Sequence, residues 1–113
     1  MKAERFPEFV KNLPEADQPL EGLRAWLLQG ETMQIIFMEA EREVLLPRHA
    51  HGDQWGVVVS GRMELTIGEE TRICNPGDSY FIPAGVLHYG RLGKGFRAVD
   101  CFADKDRYSP RNA

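Results

Sequence analysis

Histidine is the residue type in this chain best suited to chemistry, and two of the three histidines stand one residue apart. His49 and His51 lie in the stretch PRHAHGDQWGVVVSG, residues 47–61. Because side chains at i and i+2 point to the same face of a β-strand, a strand here would project both imidazoles together. Gln54, past a short turn, could bring its amide oxygen to the same point along the neighbouring strand. Imidazole nitrogen and amide oxygen can both bind a first-row transition metal.

The third histidine, His88, is distant in sequence and ends the stretch GDSYFIPAGVLH, residues 77–88. A turn-rich segment with Pro83 and Gly85 precedes it. Three histidines and one glutamine would make a four-ligand set that leaves room for water or substrate. The simpler alternative is that the paired histidines are only polar surface on an exposed strand, since histidine has an intermediate preference for burial.

The rest of the chain reads as a succession of short β-strands. Its 113 residues fit one domain, and 42% hydrophobic with 27% charged residues is ordinary for a globular protein. Runs rich in Val, Ile, Phe, Leu and Thr alternate with Gly, Pro and Asn turns, and no segment has a long helical period. This pattern predicts an all-β sandwich or barrel, jelly rolls included. The predicted strands are residues 23–29, 33–40, 43–51, 54–60, 62–67, 71–74, 79–82, 88–92 and 96–102.

Other features narrow the class of partner and the compartment. Pro7, Pro14 and Pro19 disfavour a long N-terminal helix, so we expect this segment to pack across the main body or across a partner. A net charge of -3 argues against nucleic acid, and the apolar runs are too short to span a bilayer. The N-terminus lacks the apolar core of a signal peptide, and Cys74 and Cys101 form no close pair. We therefore expect a cytoplasmic protein with free thiols.

The two histidine-containing stretches resemble the two motifs of the cupin superfamily. The second motif, G-x5-P-x-G-x2-H-x3-N, is matched at Gly77, Pro83, Gly85 and His88. The first, G-x5-H-x-H-x(3–4)-E-x6-G, is matched at its two histidines and its last glycine, with glutamine six intervening residues before that glycine. The stretch QWGVVVSGRMEL is similar to the strand–turn–strand of small cupins, in which Gln can replace Glu as a metal ligand.

The resemblance covers residues 44–92 and carries expectations about the whole chain. It implies a double-stranded β-helix, or jelly-roll barrel, forming one small domain that is often a homodimer. We divide the chain into an N-terminal arm, a barrel core and a C-terminal tail at residues 1–21, 22–104 and 105–113. The resemblance also implies a divalent transition metal, and Fe, Ni, Zn, Mn and Cu all suit such ligands. The implied metal ligands are His49, His51, Gln54 and His88.

Three positions depart from the cupin motifs. Glu43 stands where the first motif has its leading glycine, and Leu92 stands where the second motif has asparagine. Neither is a ligand position. Only two residues separate His51 from Gln54, where the motif has three or four, so the turn is tighter and Gln54 is the ligand with the least typical spacing.

The cupin fold hosts several kinds of function, so three hypotheses stand. The first is oxygenase-type chemistry, and the second is a redox-neutral lyase or isomerase. The third is a non-catalytic module that binds a small molecule or stores a metal; in each case the partner is a small molecule. Four neutral ligands would leave a divalent ion its full charge, which attracts anions and disfavours the trivalent state. The lyase or isomerase needs a proton-transfer group in the cavity, and its absence would weaken that hypothesis.

Several side chains compete for the role of proton-transfer or substrate-binding group. Asp100 could face the lumen as a base, although a solvated or salt-bridged Asp is the commoner case. Tyr80 and Tyr89 could bond a substrate, although core packing with the hydroxyl at the rim is commoner. Arg48 alternates outward from its histidine neighbours, so we expect a surface role. No catalytic residue is assigned from sequence alone.

The remaining candidates concern packing. We expect Cys101 to be a small buried hydrophobe rather than a nucleophile. Trp55 alternates against Gln54 and should point outward, which suggests a dimer contact or cover by the N-terminal segment. Four further aromatic residues are expected in the core or the pocket wall: Trp26, Phe37, Phe81 and Phe102.

Overall fold

A computed structural model describes residues 5–112 as two antiparallel β-sheets preceded by one short helix. Residues 1–4 of the predicted arm and residue 113 of the predicted tail lie outside the described residues. Helix α1 spans Glu8–Lys11, and within residues 5–112 no helix is long and apolar enough to cross a membrane. The strands described are β1 (Leu23–Gln29), β2 (Gln34–Ala40), β3 (Val44–His49), β4 (Gln54–Ser60), β5 (Met63–Ile67), β6 (Glu70–Cys74), β7 (Ser79–Ile82), β8 (His88–Leu92) and β9 (Arg97–Phe102).

The order of the strands is that of a jelly roll. One sheet runs β1-β2-β9-β4-β7 and the other runs β3-β8-β5-β6, with every neighbouring pair antiparallel. Successive strands therefore pass repeatedly from one sheet to the other, which closes the barrel. The all-β jelly-roll prediction is confirmed. Each predicted run corresponds to one strand, and its ends differ from the observed ends by at most two residues.

The core lies between the two sheets because the strands alternate apolar and polar faces. In β2, Ile36, Met38 and Ala40 are buried against the opposite sheet, while the residues between them are only half-buried on the outer face. Burial of this inner face supplies most of the driving force for folding. The largest apolar side chains with almost no exposure are Trp26, Phe96, Phe102, Ile36, Ile82, Leu92 and Val58.

The N-terminal segment covers part of the outer face of the five-stranded sheet. Phe6 and Val10 pack with Trp26, which pairs with Phe37 across β1 and β2. The Phe6 ring lies edge-on to both aromatic rings, 6.1 Å from Trp26 and 5.6 Å from Phe37 between centroids. Of the two predicted placements, the arm packs across the main body. Trp26 is fully buried as expected, but the arm buries it, not the barrel core.

Candidate metal centre and its cavity

The three histidines converge on one point between the sheets. His49 ends β3 and His88 opens β8, where the two residues are paired across the strands; His51 follows β3 by two residues. The ring centroids of His49 and His88 are 4.1 Å apart, and His51 lies 4.8 Å from His88 and 5.2 Å from His49. One nitrogen from each ring lies within 4.8 Å of the other two. The structure thus brings the three predicted histidine ligands together.

The reason for this convergence differs from the one expected. Strand β3 stops at His49, and its pairing with β8 is irregular between Leu46 and His49, so His51 lies in a loop. The prediction that plain strand alternation aims both imidazoles is therefore wrong. The loop is held by the second motif, because the amide of Gly85 donates to the carbonyl of His51 at 2.9 Å. Gly85 has φ 78°, a conformation that favours glycine.

Backbone carbonyls fix which nitrogen of each ring is free. Nδ1 lies 2.7 Å from the Pro47 carbonyl oxygen in His49, and 2.8 Å from the Gly52 carbonyl oxygen in His51. In His88 the same atom lies 3.0 Å from the Val86 carbonyl oxygen. These three contacts hold the orientation of the rings. A carbonyl only accepts, so each Nδ1 carries the proton and each Nε2 keeps a lone pair.

Two of the free ring nitrogens are buried without a hydrogen-bond partner among the described residues. Nε2 of His51 and Nε2 of His88 are buried and have no hydrogen-bond partner within residues 5–112. An unpaired buried polar atom is costly, so such atoms point to a missing ligand. Burial lowers the pKa of His49 to about 4 and also lowers the pKa of His51, with nearby cationic groups adding to the effect. Both rings are therefore neutral near pH 7, the form that binds metal.

Gln54 opens β4 and its side chain lines the same cavity. Its Nε2 donates to Oδ1 of Asp100 at 3.0 Å. Because that bond commits the nitrogen, the oxygen Oε1 is the atom left to face an ion. Gln54 shares the cavity with His49 and His88, whereas the cluster of nitrogen ligands consists of the histidines alone.

The predicted surroundings of the Asp100 carboxylate differ from those observed. Its side chain is 1% exposed and lines the cavity, where Tyr80 Oη donates to Oδ1 at 2.7 Å. The expected solvated or salt-bridged role is incorrect, and Tyr80 has its hydroxyl buried, not at the rim. Burial raises the pKa of Asp100 to about 6, against the opposing effect of the hydrogen bonds from Tyr80 and Gln54. Burial and the nearby Asp100 also raise the pKa of Tyr80 well above its usual range.

Gly56 makes room for this pair. It lies between Tyr80 and Asp100 in the sheet, paired with both. A Cβ at position 56 would lie 2.1 Å from Oδ1 of Asp100 and 2.4 Å from Cζ of Tyr80. The alternation of β9 places Asp100 on the same face as Ala98 and Phe102, which is the signal in the sequence that could have identified it.

His49, His88 and Asp100 line a cavity of about 430 Å³ whose wall is mostly apolar. Part of its wall comes from both ends of the chain, residues 17–20 and 107–109. Arg107 is the functional candidate that the sequence analysis missed. Its guanidinium carbon lies 4.4 Å from the ring centroid of Tyr108, and its Nε is buried with no hydrogen-bond partner within residues 5–112. It sits in a turn-rich tail with no motif to mark it.

The other candidates lie away from the cavity. The guanidinium of Arg48 lies 4.9 Å from the ring of Tyr89, and both residues are exposed, as predicted for Arg48. Trp55 points outward as predicted and is 45% exposed, beside a half-buried Cys101. The prediction for Phe81 is wrong, because it pairs with Trp55 on the outer face and is 54% exposed.

Comparison with known proteins identifies the family. The family model of the cupin domain matches residues 34–94, more than half of the chain. The chain is a cupin. This confirms the resemblance seen in its two motifs, and the matched range includes the three histidines and Gln54.

Solved structures share the fold of this cupin at low sequence identity. An RmlC-like cupin from Shewanella frigidimarina is 23% identical with a TM-score of 0.72, over 87% of this chain and 86% of that one. KdgF from Halomonas is 22% identical with a TM-score of 0.69, over 77% of this chain and 83% of that one. Oxalate decarboxylase from Bacillus subtilis, which has Mn(II) centres, is 16% identical with a TM-score of 0.73, over 92% of this chain and 30% of that one. At these identities the likeness establishes the fold.

A relative of higher identity is much longer. Mannose-1-phosphate guanylyltransferase from Sinorhizobium fredii is 30% identical over 78 residues, 63% of this chain and 15% of that enzyme. This cupin therefore spans only a small part of that relative. The match concerns one segment and carries no activity across.

Proposed function

We propose that this cupin binds a divalent transition metal and catalyses redox-neutral proton transfer on a small anionic carbonyl compound. The observation that carries the proposal is the buried carboxyl group of Asp100, which lines the same cavity as His49 and His88 of the histidine cluster. This is the proton-transfer group that a lyase or isomerase requires. Oxygenase chemistry, the other enzymatic hypothesis, draws support from the fold alone.

The residues present fit a divalent ion. The Nε2 atoms of His51 and His88 have no partner in the part of the chain that the structure describes. With His49 they offer three nitrogen donors whose orientation is fixed by backbone carbonyls. Gln54 is proposed as a weaker fourth donor through Oε1. Bound there, a divalent ion would supply Lewis acidity toward a carbonyl oxygen. Fe, Ni, Zn, Mn and Cu remain the candidate ions.

Within the cavity, different side chains transfer the proton and bind the ligand. Asp100 takes a proton from the carbon beside the carbonyl and returns it, while Tyr80 and Gln54 hold the carboxyl group in place. Arg107 lines the same cavity, and its Nε has no hydrogen-bond partner among the described residues, so it is proposed to bind the carboxylate of the ligand. The apolar wall keeps the site dry, which strengthens these charge interactions.

Pyruvate in deuterium oxide tests this proposal. The metal-loaded protein should speed exchange of the methyl protons of pyruvate for deuterium, measured by proton NMR. Asp100→Asn keeps the shape but loses the base, so exchange should fall at least ~100-fold with metal content unchanged. Asp17→Asn is the matched control, because Asp17 also lines the cavity but is not the carboxylate to which Tyr80 and Gln54 donate. Wild-type exchange rates in Asp100→Asn, or dioxygen consumption in place of exchange, would refute the proposal.

We also propose that this cupin forms a homodimer through the outer face of its five-stranded sheet. Phe81, Trp55, Cys101, Ile35 and Leu28 form one unbroken row across all five strands. Phe81, Trp55 and Leu28 are 54%, 45% and 43% exposed. The two half-exposed aromatic residues alone offer roughly 200 Å² toward the ~800 Å² per partner that a standard interface buries.

A second copy is the occupant we propose for this face. The arm already covers the adjacent strip at Trp26 and Phe37, which leaves the row from Phe81 to Leu28 for a two-fold contact with the same row of a second copy. We retain the cytoplasm as the proposed compartment, because Cys74 and Cys101 are free thiols.

A further inference from the structure

Arg107 is carried by a segment that has no strand of its own. This segment, residues 103–111, which we call the C-terminal strap, contributes Arg107, Tyr108 and Ser109 to the cavity wall. The Nε of Arg107 is buried without a partner, and the residue forms no ion pair within residues 5–112. Backbone hydrogen bonds hold the two ends of the strap at Ala103, Ser109 and Arg111. Between these ends, the stretch with Arg107 depends on side-chain attachments.

Two glutamines supply attachments on both sides of Arg107. Gln29 and Gln34 face each other across the β1–β2 hairpin. Gln34 donates through Nε2 to the Tyr108 carbonyl at 2.8 Å and accepts from the Tyr108 amide through Oε1 at 2.9 Å. Gln29 donates to the Lys105 carbonyl at 2.8 Å and accepts from Gln34 at 2.8 Å. The strap is thus fixed at residues 105 and 108, with Arg107 between them.

The buried carboxamide of Gln34 serves the strap and its neighbour Gln29. Gln34 is fully buried at the start of β2, where an apolar side chain would normally stand. Burying an amide is costly unless its donors and acceptor are all satisfied, and each side-chain hydrogen bond of Gln34 goes to Tyr108 or to Gln29. Both the donor and the acceptor of the amide are needed, because Tyr108 presents its carbonyl and its N–H together.

We propose that Gln34 and Gln29 are positioning residues that hold Arg107 where it binds the carboxylate of the ligand. They act through the strap and touch no ligand themselves. This inference rests on the proposed anionic ligand of the cavity, and it adds the device that sets the affinity for that ligand. Tyr108 also packs edge-on against Phe102, with ring centroids 5.6 Å apart. When the glutamines are replaced, we therefore expect the strap to stay docked while Arg107 loses its alignment.

Pyruvate and its uncharged ester, methyl pyruvate, are the probes. The full chain loaded with Zn²⁺ is titrated with each by calorimetry. Gln34→Glu removes both donated hydrogen bonds and sets a carboxylate against the Tyr108 carbonyl, so pyruvate affinity should fall about tenfold while methyl pyruvate affinity stays unchanged. Gln29→Ala should act in the same direction and is safe for folding, because Gln29 is exposed. Thr32→Ala, exposed in the same hairpin, is the control.

Two further readouts separate positioning from a general loss of structure. Amide hydrogen exchange of residues 104–110 should speed up in both glutamine variants, while residues 49–54 and the Zn²⁺ content stay as in the wild type. In an Arg107→Ala background, Gln34→Glu should cause no further loss of pyruvate affinity, because the group that it positions is gone.

Each other outcome overturns the inference. Wild-type pyruvate affinity in both glutamine variants, with a loss in Arg107→Ala, refutes the positioning role and leaves the anion subsite standing. An equal loss in the presence and absence of Arg107 shows a merely structural role. If Arg107→Ala binds pyruvate like the wild type, the subsite and the inference fall together, whereas proton transfer is judged separately by Asp100→Asn.

Discussion

Gly56→Ala is the substitution that tests the geometry of the cavity most directly. Its Cβ would lie 2.1 Å from Oδ1 of Asp100 and 2.4 Å from Cζ of Tyr80, where ordinary contacts begin at 3.4 Å. Both side chains must therefore move by about 1 Å or more, as in other overpacked cores. Such a shift breaks the 2.7 Å bond from Tyr80 and the 3.0 Å bond from Gln54 to Asp100.

The expected loss in the free energy of unfolding follows from these contacts. Two buried hydrogen bonds are worth about 1 kcal/mol each, and overpacking adds about 1–3 kcal/mol. Replacing glycine by alanine restores about 0.5 kcal/mol of stability, because alanine reduces the conformational entropy of the unfolded chain. We expect the free energy of unfolding to fall by about 3 kcal/mol, read from urea denaturation of the metal-free protein at pH 7 by the fluorescence of Trp26 and Trp55.

Gly93→Ala is the matched control. A Cβ at position 93 would meet its nearest atom, the Arg62 carbonyl oxygen, at 3.4 Å, so the free energy of unfolding should change by less than ~0.5 kcal/mol. In an Asp100→Ala background, where the space is open, Gly56→Ala should cost far less than it does alone. If Gly56→Ala unfolds at the same urea concentration as Gly93→Ala, the account of how Tyr80 and Asp100 are packed is wrong.

Four further outcomes are expected. His49→Ala or His88→Ala should lose metal steeply after mild chelation, measured by elemental analysis, and wild-type occupancy would place the site elsewhere. Gln54→Ala should cost less affinity and Gln54→Glu should raise it by adding a negative charge, and the reverse order in a metal titration would remove Gln54 from the ligand set. Trp55→Lys should convert the dimer into a monomer by light scattering at micromolar concentration; a wild-type monomer contradicts the proposed interface. Gly61→Ala, at φ 68° and 2.7 Å from the Phe96 backbone, should lower the free energy of unfolding by at least ~1 kcal/mol in urea.

The histidine cluster shows where sequence reasoning succeeds and where its mechanism fails. The types and spacing of His49, His51 and His88 predicted that they would meet, and they do. The reason offered, alternation along one strand, applies only as far as His49. His51 arrives by way of a loop that the Gly85 amide holds, a contact between residues far apart in sequence. The motif predicts that the histidines meet, but it does not show which contacts bring them together.

The surroundings of Asp100 and Arg107 depend on contacts that sequence reasoning could not reach. The burial of Asp100 depends on Gly56 in a neighbouring strand, which alone leaves space for the carboxyl group beside Tyr80. The place of Arg107 depends on hydrogen bonds from glutamine side chains to backbone atoms, and backbone atoms are the same in every residue. The alternation of β9 indicates the face on which Asp100 lies but not the space at Gly56, and no composition or period indicates Arg107.

The sequence by itself determined the strands, through their alternation and turns, and the cupin family, through two motifs with the right residue types. Both are local properties, because a strand needs only its own pattern and a motif only its own spacing. Tertiary structure decided which further groups share the cavity with the histidines. That depends on the register between strands and on the packing of both chain ends against the barrel, where a shift of one residue would turn Asp100 out to solvent.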